Sequence, residues 1–253
     1  MAKATFQIFR GDSAGGQLKE YSTEVGEGMV VLDCIHQIQA ESAPDLAVRW
    51  NCKAGKCGSC SAEVNGRPKL MCMTRMADMP PDQPIVVEPL KAFPRLRDLV
   101  TDVSWNYSVK KKIGRFKPRK PDVADGTWRM QQDDIDRVQE FRKCIECFLC
   151  QDVCHVLRDH NKHEEFSGPR FLVYTAALEM HPLDTDDRID SIKDEQGIGY
   201  CNITKCCTTV CPEGITITDN AIIPLKERVA DRHYDPLMWI LRKVGIADGE
   251  PSK

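Results

Sequence analysis

The chain has 253 residues, 42% hydrophobic and 29% charged, with a formal net charge of −3. That length favours two domains over one, and the near-neutral balance gives no global pull toward nucleic acid or anionic substrates. No apolar run approaches the ~18 residues of a spanning helix, and the start "MAKATFQIFRGDSAGG" has no signal-like apolar core, so a cytosolic chain with only peripheral membrane contact is expected. Its 13 cysteines should then stay reduced. They group at 52–72, 144–154 and 201–211 with Cys34 apart, which favours thiolates converging on metal over disulfides.

The first hundred residues read as β-rich. "TFQIF" and "YSTEV" alternate as strands around a turn at "RGDSAGGQ". "MVVLDCIHQIQAE" carries apolar residues at 32, 35 and 38, a helical stripe. Cys34 lies on that helix without a cysteine neighbour, as a small buried residue. "SAEV" and "KLMCM" flank "NGRP" as a hairpin, and "QPIVVEPL" reads as a closing strand after "MPPDQP".

Beyond residue 105 the pattern turns helical. "VKKKIGRFKPRKP" packs seven basic residues between Lys110 and Lys120; it reads as a solvated linker, with docking onto a partner subunit or anionic headgroups as the sharper alternative. "DDIDRVQEFRKC", "PRFLVYTAALEM" and "DNAIIPLKERVADR" have helical spacing, acidic starts and basic ends. Trp128 and Trp239 are expected to pack in cores, and His155, His160 and His163 to be solvated loop residues.

The cysteine runs carry the chemistry. Cys52, Cys57, Cys60 and Cys72 give C-x4-C-x2-C followed by a distant fourth thiol, the plant-type [2Fe–2S] pattern. Structural zinc usually uses paired C-x2-C knuckles, and the x4 spacing here suits it poorly. Gly55 and Gly58 let the backbone turn its N–H groups inward. With the surrounding strands and helix, the fit is to a β-grasp ferredoxin domain.

Cys144, Cys147, Cys150 and Cys154 form C-x2-C-x2-C-x3-C, the bacterial ferredoxin run, with His155 where proline is usual. In two-cluster ferredoxins the fourth thiolate of each run serves the other cluster, so a second run is required. Stepping the template back from Cys211 reaches Cys207, then Thr204, then Cys201. Crossing the fourth ligands gives a [4Fe–4S] set of Cys144, Cys147, Cys150 and Cys211. Cys154, Cys201 and Cys207 are three thiolates for a [3Fe–4S], with Thr204 at the vacant corner. Cys206 is off the template and reads as an outer thiol; a distorted loop would let it act as a fourth ligand.

This order of motifs, over nearly the whole chain, resembles the iron–sulfur subunit of succinate dehydrogenase and fumarate reductase. The resemblance implies an α+β chain: residues 1–104 a β-grasp [2Fe–2S] ferredoxin domain, residues 105–253 an all-α ferredoxin-like domain with two cubane-type clusters. It implies electron transfer between FAD on a partner flavoprotein and a quinone at a membrane anchor, in respiration and the tricarboxylic acid cycle. No dicarboxylate site, catalytic side chain or nucleic-acid partner belongs to this subunit, and the anchor can carry haem b. The expected location is peripheral, at the cytoplasmic face of the inner membrane. Asn202 stands where the family commonly has histidine, His155 replaces proline, and the tryptophan that follows is missing. Both residues are therefore placed near quinone, with a lower-potential quinone such as menaquinone as the acceptor. The runner-up is an adaptor subunit of another flavin-dependent dehydrogenase or of a disulfide-reductase complex.

Overall fold

The computed structural model describes residues 2–236 and 240. Strands β1 (Ala2–Asp12) and β2 (Gly15–Val25) form one antiparallel hairpin, paired from Ala2↔Val25 to Asp12↔Gly15. Both run longer than the alternating stretches predict, and the turn shrinks to Ser13–Ala14. Gly15–Glu20 are exposed, so this end is held by backbone pairing and leaves no inside–outside alternation to read.

Helix α1 (Val31–Glu41) lies where its stripe predicts. Asp33 accepts the Val30 N–H at 3.2 Å and satisfies one of the donors left free at a helix start. Its buried face, Val31, Leu32, Cys34, Ile35 and Ile38, shares a core with Phe6, Ile8, Ala62, Val64, Ile85 and Val87. Each fully buried Leu or Ile contributes about 1.5–3 kcal/mol, so this face outweighs any propensity effect in fixing the helix.

Strands β3 (Ser61–Val64) and β4 (Arg67–Leu70) turn at Asn65–Gly66, both left-handed (φ 50° and 71°), as a two-residue hairpin of this twist requires. After Leu70 the chain enters a 3₁₀ turn, Met71–Met73, so Cys72 stands on a turn rather than in the expected strand. Strand β5 (Ile85–Glu88) is central rather than closing: it lies between β3 and β1, parallel to β1. β6 (Arg95–Arg97) and β7 (Val100–Thr101) complete the order β4-β3-β5-β1-β6-β7, with β2 also paired to β1.

The second half is built from α2 (Ser104–Lys112), α3 (Gln132–Gln139), α4 (Leu149–Asp152), α5 (His155–Arg158), α6 (Pro169–Glu179), α7 (Ile189–Asp194), α8 (Cys206–Thr209) and α9 (Ile223–His233). The segment "DDIDRVQEFRKC" tightens from α3 into a 3₁₀ turn at Glu140–Lys143 before Cys144. Ile217–Ile222 is π-helical ahead of α9; Pro224 has no N–H to give, so regular α-bonding starts only beyond it.

Two expectations need correction and one is sharpened. The basic stretch is solvated as expected, with Lys111, Lys112, Arg115, Lys117 and Lys120 exposed, but it is pinned in place: Lys110 pairs with Glu146, Lys117 with Asp186 at 2.6 Å and Arg119 with Asp122, and Pro118 bridges Asp184. Trp128 is 38% exposed and anchors itself by donating its indole N–H to Arg119 O at 2.9 Å; a nearby backbone acceptor holds the ring at the surface. Trp239 lies outside the described residues. His163 is not a solvated loop residue: its Nε2 lies 2.8 Å from Ala92 O and its carbonyl accepts the Trp105 N–H at 3.1 Å.

The two halves meet along a dense polar seam. The Ala92 amide donates to Asp152 Oδ1 at 2.9 Å, and Lys56 pairs with Glu213 at 3.0 Å. This seam holds the first cysteine loop against the other two runs.

Candidate metal centres

The first loop wraps its thiols in backbone donors. Lys53, Gly55 and Gly58 adopt φ values of 54°, 67° and 68°, which curl the chain around a point. The amides of Ala54 and Lys56 donate to Cys52 Sγ at 3.3 Å each, Cys52 N to Cys57 Sγ at 3.5 Å, and Cys72 N to Cys60 Sγ at 3.4 Å. Burial pushes the Cys57 thiol up, but hydrogen bonds from Ser59 and the Cys52 amide win and hold it at about 6. Burial instead raises Cys60 to about 12. Donors aimed at sulfur are what an anionic thiolate centre needs.

The other two runs repeat one backbone pattern. Glu146 and Phe148 are left-handed at φ 56° and 61°; Ile203 and Lys205 are left-handed at 62° and 61°. Each pair sits two and four residues after the first cysteine of its run, and each leads into a short helix, α4 or α8. Asp152 N bonds Phe148 O as Thr209 N bonds Lys205 O, and Cys154 N bonds Gln151 O as Cys211 N bonds Thr208 O. Non-glycine residues in this region cost of order 1–3 kcal/mol each, so their repetition marks one loop shape used twice. Cys147 and Thr204 occupy the same position in it, as do Leu149 and Cys206.

Cys144, Cys147, Cys150 and Cys211 line one small pocket together with Ile145, Phe148, Val173, Ile215 and Ile217. The fourth thiol of the second run thus joins three of the first. Burial drives the Cys150 thiol well above its usual range and raises Cys147 to about 12 and Cys144 in the same direction. Thiols this reluctant to ionise become ligands when a cationic metal replaces their protons, so this donor set fits an iron–sulfur centre. Arg170 also borders the cavity and pairs with Glu146 at 2.7 Å.

The third set is partly open. Cys154 and Cys207 are buried, and burial raises them to about 12 and about 11. Cys207 Sγ lies 3.5 Å from the Thr218 hydroxyl. Cys201 is half-buried, while Asn202, Ile203, Thr204 and Lys205 are exposed. Cys206 Sγ is 3.3 Å from Thr204 Oγ1, and it opens on a groove shared with Leu70, Met73, Leu149 and Arg158 but with none of Cys154, Cys201 and Cys207. The left-handed Lys205 directly before it swings the chain back toward Thr204. His155 is half-buried at the first position of α5, its ring 6.1 Å from that of His160.

A wide cleft lies elsewhere, between α6, α7 and α9; Arg119, Asp136, Glu179 and Arg228 are on its walls and no cysteine is among its described lining residues. Sequence reasoning missed the residues that join the halves. Ser61, Glu63, Asp152 and Arg158 carry no motif, and only an acidic Glu63 in an otherwise inward-facing strand hints at a buried partner.

A cysteine loop wrapped in backbone donors beside a helical module with two matched cysteine runs defines an iron–sulfur electron-transfer subunit. Residues 5–107 match the 2Fe-2S iron-sulfur cluster binding domain and residues 140–215 the 4Fe-4S dicluster domain. The chain is 33% identical over 202 residues to the fumarate reductase iron-sulfur subunit of Mycobacterium tuberculosis, covering 77% of this chain and 79% of that one. It is 27% identical to the succinate dehydrogenase iron-sulfur subunit of Paracoccus denitrificans, covering 90% and 88%. A chain of the Mycobacterium smegmatis Sdh1 complex in the apo form superposes with a TM-score of 0.89 at 62% identity, covering 93% of this chain and 99% of that one. The chain belongs to the iron–sulfur subunit family of succinate dehydrogenase and fumarate reductase, and it transfers electrons through iron–sulfur clusters within that oxidoreductase complex. No described helix is long and apolar enough to cross a membrane.

Proposed function

We propose that three clusters form the wire. Cys52, Cys57, Cys60 and Cys72 hold a [2Fe–2S] in a β-grasp domain ending near residue 104. Cys144, Cys147, Cys150 and Cys211 hold a [4Fe–4S], and Cys154, Cys201 and Cys207 a [3Fe–4S], in the helical domain from 105 to 253. The clusters supply one-electron carriers; the chain sets their spacing, burial and hydrogen bonding. One observation carries the reading: the doubled loop shape gives Thr204 the position of Cys147, so the third set has a hydroxyl where the second has a thiol.

FAD on a partner flavoprotein and a quinone at a membrane anchor, with or without haem b, lie at the two ends. The exposed 202–205 loop and half-buried His155 favour the third centre as the quinone end, with menaquinone as the acceptor and the complex at the cytoplasmic face of the inner membrane. EPR of the intact complex during a redox titration tests this. An oxidised-state [3Fe–4S] signal and succinate-dependent reduction of all three centres are expected. Two [4Fe–4S] centres would overturn the assignment of Thr204.

A second reading keeps the wire and changes its end. The chain is 29% identical, over 87% of its own length, to one polypeptide of the fumarate reductase (CoM/CoB) of Methanothermobacter marburgensis, of which it spans 42%. A disulfide-linked complex would be reduced by a pair of thiols, which leave as their disulfide, and not by succinate.

A further inference from the structure

The seam brings one side chain from the first loop onto a cysteine of the second. Ser61 directly follows Cys60, and its Oγ lies 2.9 Å from the carbonyl oxygen of Cys147 and 2.8 Å from that of Gly58. The hydroxyl has one proton, shared between two acceptors. Gly58 permits the approach: a Cβ there would stand 2.6 Å from Cys147 Cα, inside any tolerated contact, and φ is +68°. Lys56, in the same loop, pairs with Glu213, which borders the cavity of the second thiol set.

We propose that the Ser61 hydroxyl is the electron bridge between the first two clusters, and that Gly58 is the positioning residue that seats it. This rests on Cys60 and Cys147 being ligands of different clusters. The route then runs from Cys60 Sγ through one peptide link to Ser61, across a single hydrogen bond, and along the Cys147 backbone to its Sγ. Electronic coupling falls steeply with each gap between atoms, and a hydrogen bond holds that gap near its minimum. With both clusters bound, one electron would pass from the set that holds Cys60 to the set that holds Cys147. No bond forms or breaks, and the Ser61 proton stays on Oγ. Nothing else on the first loop donates a side-chain hydrogen bond to a backbone carbonyl of a second-run cysteine among the described residues.

The test uses the intact complex with Ser61→Ala and Ser61→Thr. Each is reduced with dithionite, mixed with excess quinone and freeze-quenched, and decay of the reduced [2Fe–2S] EPR signal is followed. In Ser61→Ala the decay should slow severalfold while iron, sulfide and equilibrium potentials stay unchanged; Ser61→Thr, which keeps the hydroxyl, should restore it. An unchanged rate in Ser61→Ala overturns the proposal. Loss of a cluster from Ser61→Ala overturns it too, since the hydroxyl would then serve assembly. Cys60→Ser and Cys147→Ser separate the two failures: if each does not weaken its own centre, the ligand assignment fails and not the bridge alone.

Discussion

Arg158 on α5 reaches across the seam to pair with Glu63 on β3, a carboxylate with no exposed surface. Lys91 holds the other Glu63 oxygen at 3.1 Å. Asp152, equally buried, stands beside them; burial and the neighbouring Glu63 raise its carboxyl, while the Ala92 amide and Arg158 oppose them. Two buried acids around one arginine make the halves depend on that guanidinium.

Removing one partner of a buried pair is costlier than removing both, because the other charge stays behind without solvent. Arg158→Ala should therefore destabilise the cluster-loaded chain by about 3 kcal/mol, seen as a lower urea midpoint. Glu63→Gln with Arg158→Met, which removes the charges together, should cost less than Arg158→Ala alone. A loss under about 0.5 kcal/mol for Arg158→Ala, the size of an exposed pair, would show that the seam does not rely on it.

The vacant corner gives a second expectation. Thr204→Cys puts a thiol at the position Cys147 holds in the first run. The oxidised [3Fe–4S] EPR signal should disappear, iron content should rise, and the potential of that centre should fall. Thr204→Val should keep the original signal. Retention of the signal in Thr204→Cys would mean that the two loops are alike in backbone but not in what they hold.

The contrast between those loops explains how much could be read from the chain. Spacing inside a run is local, so the three cysteine runs, the helix at 32–38 and the β-then-α order were legible. The left-handed turns at Glu146, Phe148, Ile203 and Lys205 were not, because a non-glycine residue in that region leaves no compositional mark. Ser61 and Arg158 act across separations of 86 and 95 residues (147 − 61 and 158 − 63), where pattern has no reach. The contact of Cys206 with Thr204 was hidden for the same reason: it depends on the turn at Lys205.

Cys206 supplies a third expectation. Its sulfur is 3.3 Å from Thr204 Oγ1, close to the corner yet off the ligand template. Cys206→Ser should leave iron, sulfide and all three EPR signals unchanged, whereas Cys207→Ser should lose the [3Fe–4S]. Loss of a centre from Cys206→Ser would make it a ligand and reassign the third set.

Cys34 gives the pH expectation. It is fully buried on α1, and burial, helped by the neighbouring Asp33 charge, pushes its thiol up to about 11 from an ordinary 9.0. A folded-state pKa above the unfolded one means that the native chain holds the proton longer. The stability this brings is complete below pH 9 and is lost as pH rises toward 11, at a limiting slope of about 1.4 kcal/mol per pH unit. Cys34→Ala has no such group, so the wild-type advantage over it should be constant at neutral pH and shrink above pH 9 in urea titrations. At pH 8 iodoacetamide should label half-buried Cys206 in the loaded protein but leave Cys34 untouched until urea is added, as read by peptide mass spectrometry. Labelling of Cys34 in the native chain would show that α1 opens from the sheet at that pH, and a stability gap independent of pH would show that its thiol is not raised.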